Sequence, residues 1–440
     1  MNIRSIIHNS DAMREIYLDH AAATPLDSRV KKAMAPYWDT TYANPAALYR
    51  QGRLAKEAVD KSRQSAAGIL NCKSGEIIFT SGGTEADNIA IFGAVGMFQA
   101  KLGTKTGHLI TTAFEHHAGL RSFEALERDG WAVTYLPVSE DGLVDPEAVK
   151  NAIRPDTLLI SVMYANNEIG TIQPIDEIGQ TLKAVRRKRA GEGDQLPIYF
   201  HCDASQAAGF LELDTQKLGV DLMSLNGGKI YGPKGIGALY ARNGVKLKPV
   251  FYGGGQEKGL RSGTENVPGI VGFAKALEIA DAEKVKESRR LAGLRDYFIR
   301  RLATEITKTV LNGHPVKRLP NNINVSVLDI EGEAVILYLD AKGVCISTGS
   351  ACTSITLDPS HVILALGKPY EYAHSSLRFT LGRHTAKEDL DYVMEVLPPI
   401  VEKLRRISPV RMKVGENAIS HPEAFTGQGA KIKVGGRTYK

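Results

Sequence analysis

Asp221-Leu222-Met223-Ser224-Leu225-Asn226-Gly227-Gly228-Lys229-Ile230-Tyr231-Gly232-Pro233-Lys234-Gly235 is a short apolar run that stops at a glycine-bounded loop carrying a lysine. The same syntax recurs upstream. Glu76–Thr80 precedes Gly83-Thr84, His108–Thr112 precedes Glu115-His116, Thr157–Met163 precedes Asn166-Asn167, and Ile198–His201 precedes Asp203. From about residue 70 to 245 such runs alternate with longer amphipathic stretches, the pattern of strands and helices wound into a mostly parallel sheet. In open α/β sheets ligands bind outside the carboxyl ends of the strands, so the five polar clusters are expected to converge on one crevice.

After Ala274 the pattern changes. A charged helical stretch, Ala280 to Ile306, leads to the alternation of Ile323, Val325 and Val327, a helix-like Glu331 to Ala341 and a strand-like Val344 to Ile346. The expected fold is a large α/β domain over 27–284, its mostly parallel sheet flanked by helices. A smaller α+β domain, built from 1–26 and 285–408, would join it. The glycine-containing, basic segment 409–440 reads as a flexible tail or docking arm, and the charge run Arg186 to Arg189 as a solvated helix end.

The bulk properties narrow the function. At 440 residues, with 43% hydrophobic and 24% charged residues, the chain is an ordinary globular protein able to bury a sizeable core. A net charge of +6 is modest for that length, and no stretch interleaves aromatics with dense Lys/Arg, so nucleic acid is not an expected partner. Cys72, Cys202, Cys345 and Cys352 form no CxxC pair, which points away from zinc and disulfides and toward a reducing cytosol. Neither a secretory signal nor a membrane-length apolar run is present, so a cytoplasmic location is expected.

Each cluster has a chemical reading beside a plainer one. Ser81-Gly82-Gly83-Thr84 opens the helical run Asn88 to Lys101, where glycine backbone N–H groups and the helix dipole suit a phosphate; Thr84 and Asp87 also have capping-box spacing. Asp203 can pair with a protonated pyridine nitrogen or cap the next helix. His116 or His117 can stack on an aromatic cofactor or shuttle protons, and paired histidines can also ligate metal, though no third ligand lies at suitable spacing. Lys229 can be a surface charge, but its glycine-bounded setting suits an amine that holds an aldehyde cofactor as a Schiff base; Lys234 or a desolvated cleft would depress its pKa. Arg378, in the alternating Ser375–Thr380, can grip a carboxylate with its planar fork or form a structural salt bridge.

Cys352 lies among the small residues of Ser347-Thr348-Gly349-Ser350-Ala351-Cys352-Thr353-Ser354, with no core-facing residue until Val362. A mobile loop there lets one sulfur visit a buried cofactor and then an external acceptor. A thiol with a pKa of about 8.5 needs a neighbouring base or cation to act as a nucleophile at neutral pH.

Together these segments resemble the cysteine desulfurases of the NifS/IscS group, pyridoxal-phosphate enzymes of aminotransferase-like fold. The resemblance runs from Tyr17-Leu18-Asp19-His20-Ala21-Ala22-Ala23-Thr24-Pro25 through Asn44-Pro45, Gly253-Gly254-Gly255-Gln256-Glu257 and Arg261-Ser262-Gly263-Thr264 to Gly382-Arg383. It implies that Lys229 is the cofactor-bound lysine and proton shuttle, Asp203 the pyridinium partner, Gln206 the phenolic-oxygen donor, and His116 the stacking and proton-transfer residue. Gly83, Thr84, Asn226 and Gly228 would lie at the phosphate, joined by Thr264 of a second subunit, with Asn167 beside cofactor and substrate. Arg378 with Asn44 would orient the carboxylate of L-cysteine. The implied reaction converts L-cysteine to L-alanine through a ketimine, passing sulfur to Cys352 as a persulfide. A protein acceptor, such as an iron–sulfur scaffold, then takes it for cluster assembly or RNA thiolation. A homodimer without bound metal or membrane contact is implied.

The chain departs from the group's pattern in three places. Asn226-Gly227-Gly228 replaces the usual Ser-x-His before the lysine, and Ala47 and Tyr49 replace a Ser and a His after Asn-Pro. An insertion near 186–197 and the basic tail are also unusual. Selenocysteine lyase or another β-eliminating activity is the rival enzyme reading, in which Cys352 matters less; a non-catalytic scaffold that keeps the fold is the rival outside enzymes, supported by Gly228.

Overall fold

The structure, a computed structural model, describes residues 15–103, 106–193, 196–349, 359–415, 432–434 and 437–439. It divides into two units, one comprising 23–289 and 313–319 and the other the remaining described residues. The excursion 313–319 goes with the larger unit because Leu319 N donates to Gly170 O (2.8 Å), Arg318 Nη2 to Ile169 O (2.8 Å) and Ile172 N to Lys317 O (2.9 Å). The division at 22/23 and 289/290 therefore differs by a few residues from the sequence expectation.

In chain order the strands are β1 (Ile16–Tyr17) of the smaller unit, then β2 (Ile77–Thr80), β3 (His108–Thr112), β4 (Ala132–Leu136), β5 (Thr157–Ser161), β6 (Tyr199–Asp203), β7 (Leu222–Asn226) and β8 (Gly237–Ala241) of the larger. The larger unit's sheet has the order β2-β8-β7-β6-β5-β3-β4, parallel throughout except that β8 runs antiparallel to both neighbours. β3, β5 and β6 are buried along their whole length. Burial on both faces is why these runs read as continuous rather than alternating.

The larger unit's helices are α1 (Ser28–Met34), α2 (Pro36–Asp39), α3 (Arg50–Ile69), α4 (Gly83–Leu102), α5 (His117–Arg128), α6 (Pro146–Ala152), α7 (Ile175–Gly191) and α8 (Thr215–Leu218). α4 matters most for the site. Its Ala86, Ile89, Ala90, Ile91, Ala94, Val95 and Phe98 are all buried, packed with Leu109, Leu159 and Leu222 of the sheet and Phe123 of α5. A helix apolar all round belongs in the interior, and this one carries its N-terminus into the sheet's carboxyl edge. The charge run in α7 is only partly solvated, correcting the sequence expectation. Arg186 pairs with the buried Asp221 and donates to Ile198 O (3.0 Å), and buried Arg189 donates to the carbonyls of Thr157 and Arg154.

α9 (Val267–Glu305) supplies residues to both units. In the smaller unit, β9 (Thr309–Leu311), β10 (Asn322–Val327) and β12 (Ser376–Thr380) form an antiparallel sheet of order β12-β10-β9, and β11 (Val344–Cys345) pairs in parallel with β1. α10 (Gly332–Asp340), α11 (His361–Ala365), α12 (Tyr370–His374) and α13 (Lys387–Ile407) complete it. In the segment expected to be a tail, β13 (Ile432–Val434) pairs with β14 (Arg437–Tyr439). No helix among the described residues is long and apolar enough to cross a membrane.

Candidate active site

The five sequence clusters are linked to one another at the carboxyl edge of the larger sheet. The lysine turn follows β7 as a single 3-10 turn, Gly227–Lys229. Asn226 Oδ1 accepts from Gly228 N (3.0 Å), which caps the turn. Thr24 clamps it from the other side: its N and Oγ1 both donate to Gly228 O at 3.0 Å, and its Oγ1 accepts from Tyr231 N at 2.8 Å. Lys234 Nζ donates to Thr24 O (2.6 Å) and so braces the turn. Lys229 itself is half-buried.

The anion cradle is built from α4 and its neighbours. Gly82, the N-cap, has φ of 151°, a conformation that favours glycine, and has no side-chain cap. Thr84 and Asp87 therefore form no capping box; Thr84 is exposed and Asp87 points into the protein. A Cβ on Gly83 would lie 2.7 Å from Ser205 Oγ and 3.5 Å from Asn226 Nδ2. Only glycine leaves this concavity open. Backbone N–H groups of the first helical turn, a hydroxyl and an amide face it, a donor set suited to a phosphate.

His116 is the N-cap of α5, its Nδ1 accepting from Ala118 N at 3.1 Å, which puts the proton of the neutral ring on Nε2. Burial holds its pKa below the usual value, opposed by the charge of Asp203, assisted by that of Lys229 and opposed again by that of Glu168. Asp203 and Lys229 are thus electrostatic neighbours of His116. Asp203 ends β6, nearly buried, and accepts from Ser205 N (2.9 Å). Asn166 is structural: its Nδ2 donates to Phe114 O (3.0 Å) and its Oδ1 accepts from Glu168 N (2.8 Å) and Ile169 N (3.1 Å), which fixes the turn bearing half-buried Asn167. Gln206 is likewise half-buried, just beyond Asp203.

Three other expected site residues stand on other segments. Asn44 is exposed in its own turn, Oδ1 accepting from Ala46 N (2.9 Å), and Thr264 is exposed on the loop before α9. Arg378 belongs to the smaller unit, 3% exposed on β12, with Nη2 2.7 Å from Asp19 Oδ1. The segment leading toward Cys352 is fastened to the same strand: Ser347 and Arg378 exchange backbone bonds, and Ser376 Oγ donates to Thr348 O (2.8 Å). Cys352 itself lies outside the described residues.

Behind the site lies a buried set to which sequence reasoning assigned no chemistry. Glu115 accepts from Thr112 Oγ1 (2.6 Å) and Met163 N (3.0 Å), and burial pushes its pKa up to about 8. His201, two residues before Asp203, contacts Ser161 Oγ through Nδ1 (2.8 Å) and Ser224 Oγ through Nε2 (2.9 Å). Strand alternation puts residues 201 and 203 on one face, the signal that could have found it. Asp87 stands one turn into α4 beside that ring.

Comparison with known proteins gives the family of the chain. The aminotransferase class-V family model matches residues 16–393. A cysteine desulfurase IscS of Dictyoglomus turgidum is 49% identical over 91% of this chain and 98% of its own, and one of Methanosarcina thermophila is 49% identical over 92% and 98%. Among solved structures, a NifS-like protein superposes with a TM-score of 0.80 at 32% identity, covering 90% of this chain and 100% of that one. SspA in complex with cysteine superposes with a TM-score of 0.70 at 34% identity, covering 84% and 100%.

Proposed function

We propose that this chain, which belongs to the class-V aminotransferase family and within it to the cysteine desulfurases of the NifS/IscS group, takes sulfur from L-cysteine with bound pyridoxal 5'-phosphate, releases L-alanine and carries the sulfur on Cys352. The observation that carries the reading is the joint placement of His116, Asp203 and Lys229 beside a cradle that a Cβ on Gly83 would fill. The donor set fits the cofactor. Its phosphate suits the first turn of α4 with Thr84, Ser205 and Asn226, its ring nitrogen suits Asp203, its phenolic oxygen Gln206 and its ring face His116, with Asn167 at the ring's edge.

When bound, pyridoxal phosphate supplies an electron-withdrawing ring that drains charge from the substrate's Cα. Lys229 Nζ holds the cofactor covalently and moves the Cα proton. Asp203 would pair with the ring nitrogen, and His116, with its ring proton on Nε2, would close one ring face and hold a proton for transfer. Arg378, braced by Asp19, and Asn44 bind the substrate carboxylate. Cys352 Sγ, as thiolate, attacks the substrate sulfur: the S–S bond forms, the C–S bond breaks, and its electron pair with a proton leaves a methyl group on the product alanine. The persulfide then passes to a protein acceptor, an iron–sulfur scaffold being the chemistry this group serves, or toward RNA thiolation.

A homodimer is part of this reading, with Thr264 of each chain completing the other's phosphate site. Exposed Thr264 and the exposed Trp38, Tyr42, Tyr49 and Tyr252 support such an interface. A reaction that needs Cys352 as a thiol suits the cytoplasm.

Mass spectrometry of the loaded protein after brief exposure to L-cysteine tests the proposal. Sulfur added to the Cys352 peptide, with alanine released, is expected. Alanine formation that persists undiminished in Cys352→Ala would instead favour β-elimination, and protein that takes up no cofactor would favour a non-catalytic scaffold.

A further inference from the structure

His201 Nε2 lies 3.5 Å from Asp87 Oδ1, with both side chains all but inaccessible to solvent. Asp87 Oδ1 has no hydrogen-bond partner among the described residues. Among the described residues, the charged groups that act on the pair are the acids Asp203 on β6 and Glu115 after β3, with the thiol of Cys202 beside them. An ionised Asp87 would therefore be a buried anion beside other acids, offset only by the His201 ring, which burial itself holds toward its neutral form, an expensive arrangement. Ser224 Oγ bonds both partners, reaching Asp87 and, at 2.9 Å, His201 Nε2; Ser161 Oγ lies 2.8 Å from Nδ1 on the far side of the ring.

We propose that Asp87 is a positioning residue, held as a neutral acid at the end of a hydrogen-bonded chain through Ser224 and His201 to Ser161, so that Asp203 is the wall's sole anion toward the cofactor ring. The assignment that gives the Asp87 proton an acceptor runs one way: Asp87 O–H to Ser224 Oγ, Ser224 O–H to His201 Nε2, and His201 Nδ1–H to Ser161 Oγ. Burial and the charge of Asp203, opposed by the hydroxyl of Ser224 and aided by the charge of Glu115, push the Asp87 pKa well up, and burial lowers that of His201 to about 4, so each is shifted toward its neutral form. With Glu115 also protonated, the wall carries one negative charge. A second one would compete for the ring nitrogen's proton and raise the cost of burying Asp203.

The inference rests on the cofactor reading above, and the test separates the two. Wild-type, Asp87→Asn, Asp87→Leu and Ser224→Ala proteins are titrated with pyridoxal phosphate to obtain the dissociation constant, and the visible band of each loaded protein is followed against pH. Asn keeps a neutral donor to Ser224, so Asp87→Asn is expected within about twofold of wild type in affinity, with an unmoved midpoint. Leu cannot donate, so Asp87→Leu is expected to bind roughly tenfold more weakly and to move the midpoint by about half a pH unit or more. Ser224→Ala, which breaks the chain with a small change, is expected to follow Leu and serves if the Leu variant does not fold. Asn behaving like Leu would mean that Asp87 acts as a carboxylate, and Leu and Ala variants matching wild type would mean that the chain positions nothing; either overturns the proposal. A wild-type protein that binds no cofactor overturns the reading of the site and this inference with it.

Discussion

Thr24 donates both its backbone N–H and its hydroxyl to the carbonyl of Gly228, each at 3.0 Å, one residue before the lysine. The hydroxyl also accepts from Tyr231 N at 2.8 Å, so one buried side chain closes the loop on both sides of Lys229. Thr24→Val keeps the shape and loses both side-chain bonds. We expect it to lose about 1–3 kcal/mol of stability and to release cofactor faster, while Thr24→Ser stays near wild type. Denaturant unfolding with a cofactor off-rate checks this, and a Val variant that matches Ser in both would show that the clamp is dispensable.

The raised pKa of Glu115 gives a pH dependence with a definite sign. The folded protein holds this proton up to about pH 8, whereas the unfolded chain gives it up near the ordinary glutamate value of 4.5. The folded state therefore binds more protons in between, and this contribution to stability is complete below about 4.5 and falls as pH rises toward 8. His20, His108 and His201, lowered by burial from 6.5 to about 4, act oppositely but only below 6.5. Between pH 6.5 and 8 the carboxyl effect stands clear of them. Glu115→Gln, whose carbonyl can accept from Thr112 and Met163 as before, should flatten the decline there by about 1.4 kcal/mol per pH unit. Unfolding free energies at several pH values would refute the assignment if the two proteins lose stability in parallel.

Where the site was legible, it was legible as chain syntax. Polar residues that follow short apolar runs fall at the carboxyl edge of a parallel sheet whatever their identity, which is why Asp203 and Lys229 could be placed without coordinates. β8 was missed because Gly237-Ala238-Leu239-Tyr240-Ala241 carries small residues of weak strand preference. Gly237 is needed there: a Cβ would lie 2.8 Å from Gly82 Cα, a contact set by tertiary packing alone. Asp87 was misread as a cap because spacing cannot tell a helix residue that faces its own N-terminus from one that faces the sheet. His201 was absorbed into an apolar run, since burial on both faces hides a polar side chain's direction. Arg378 and Asp19 are 359 positions apart, beyond any periodicity.

That pair gives a third expectation. Asp19 Oδ1 holds one arm of the buried Arg378 fork at 2.7 Å and thereby fixes the plane in which the remaining donors lie. If Arg378 grips the substrate carboxylate, Asp19→Asn loosens that plane without removing the charge. KM for L-cysteine should then rise by roughly tenfold while kcat changes much less, because the lost interaction acts in the ground and transition states alike. Steady-state kinetics with an unchanged KM would argue that the pair is purely structural.

The last prediction concerns the asparagine and glycine that replace the group's usual residues before the lysine. Asn226 spends its Oδ1 on Gly228 N at 3.0 Å, which turns its Nδ2 toward the space above Gly83. One side chain thus shapes the lysine turn and offers a donor to the cradle. Asn226→Ala loses both, so its cofactor affinity should fall about ten- to a hundredfold, the range of one charge-assisted bond. Gly228 is different: a Cβ there meets nothing closer than Asn226 Oδ1 at 3.4 Å, an ordinary contact. Gly228→Ser should therefore fold within about 0.5 kcal/mol of wild type, so its glycine is not required by backbone strain. Cofactor titration and thermal unfolding of the two variants check the contrast. If Asn226→Ala binds as tightly as wild type, the amide does not face a phosphate, and if Gly228→Ser unfolds the turn, the space seen beside Gly228 is already filled.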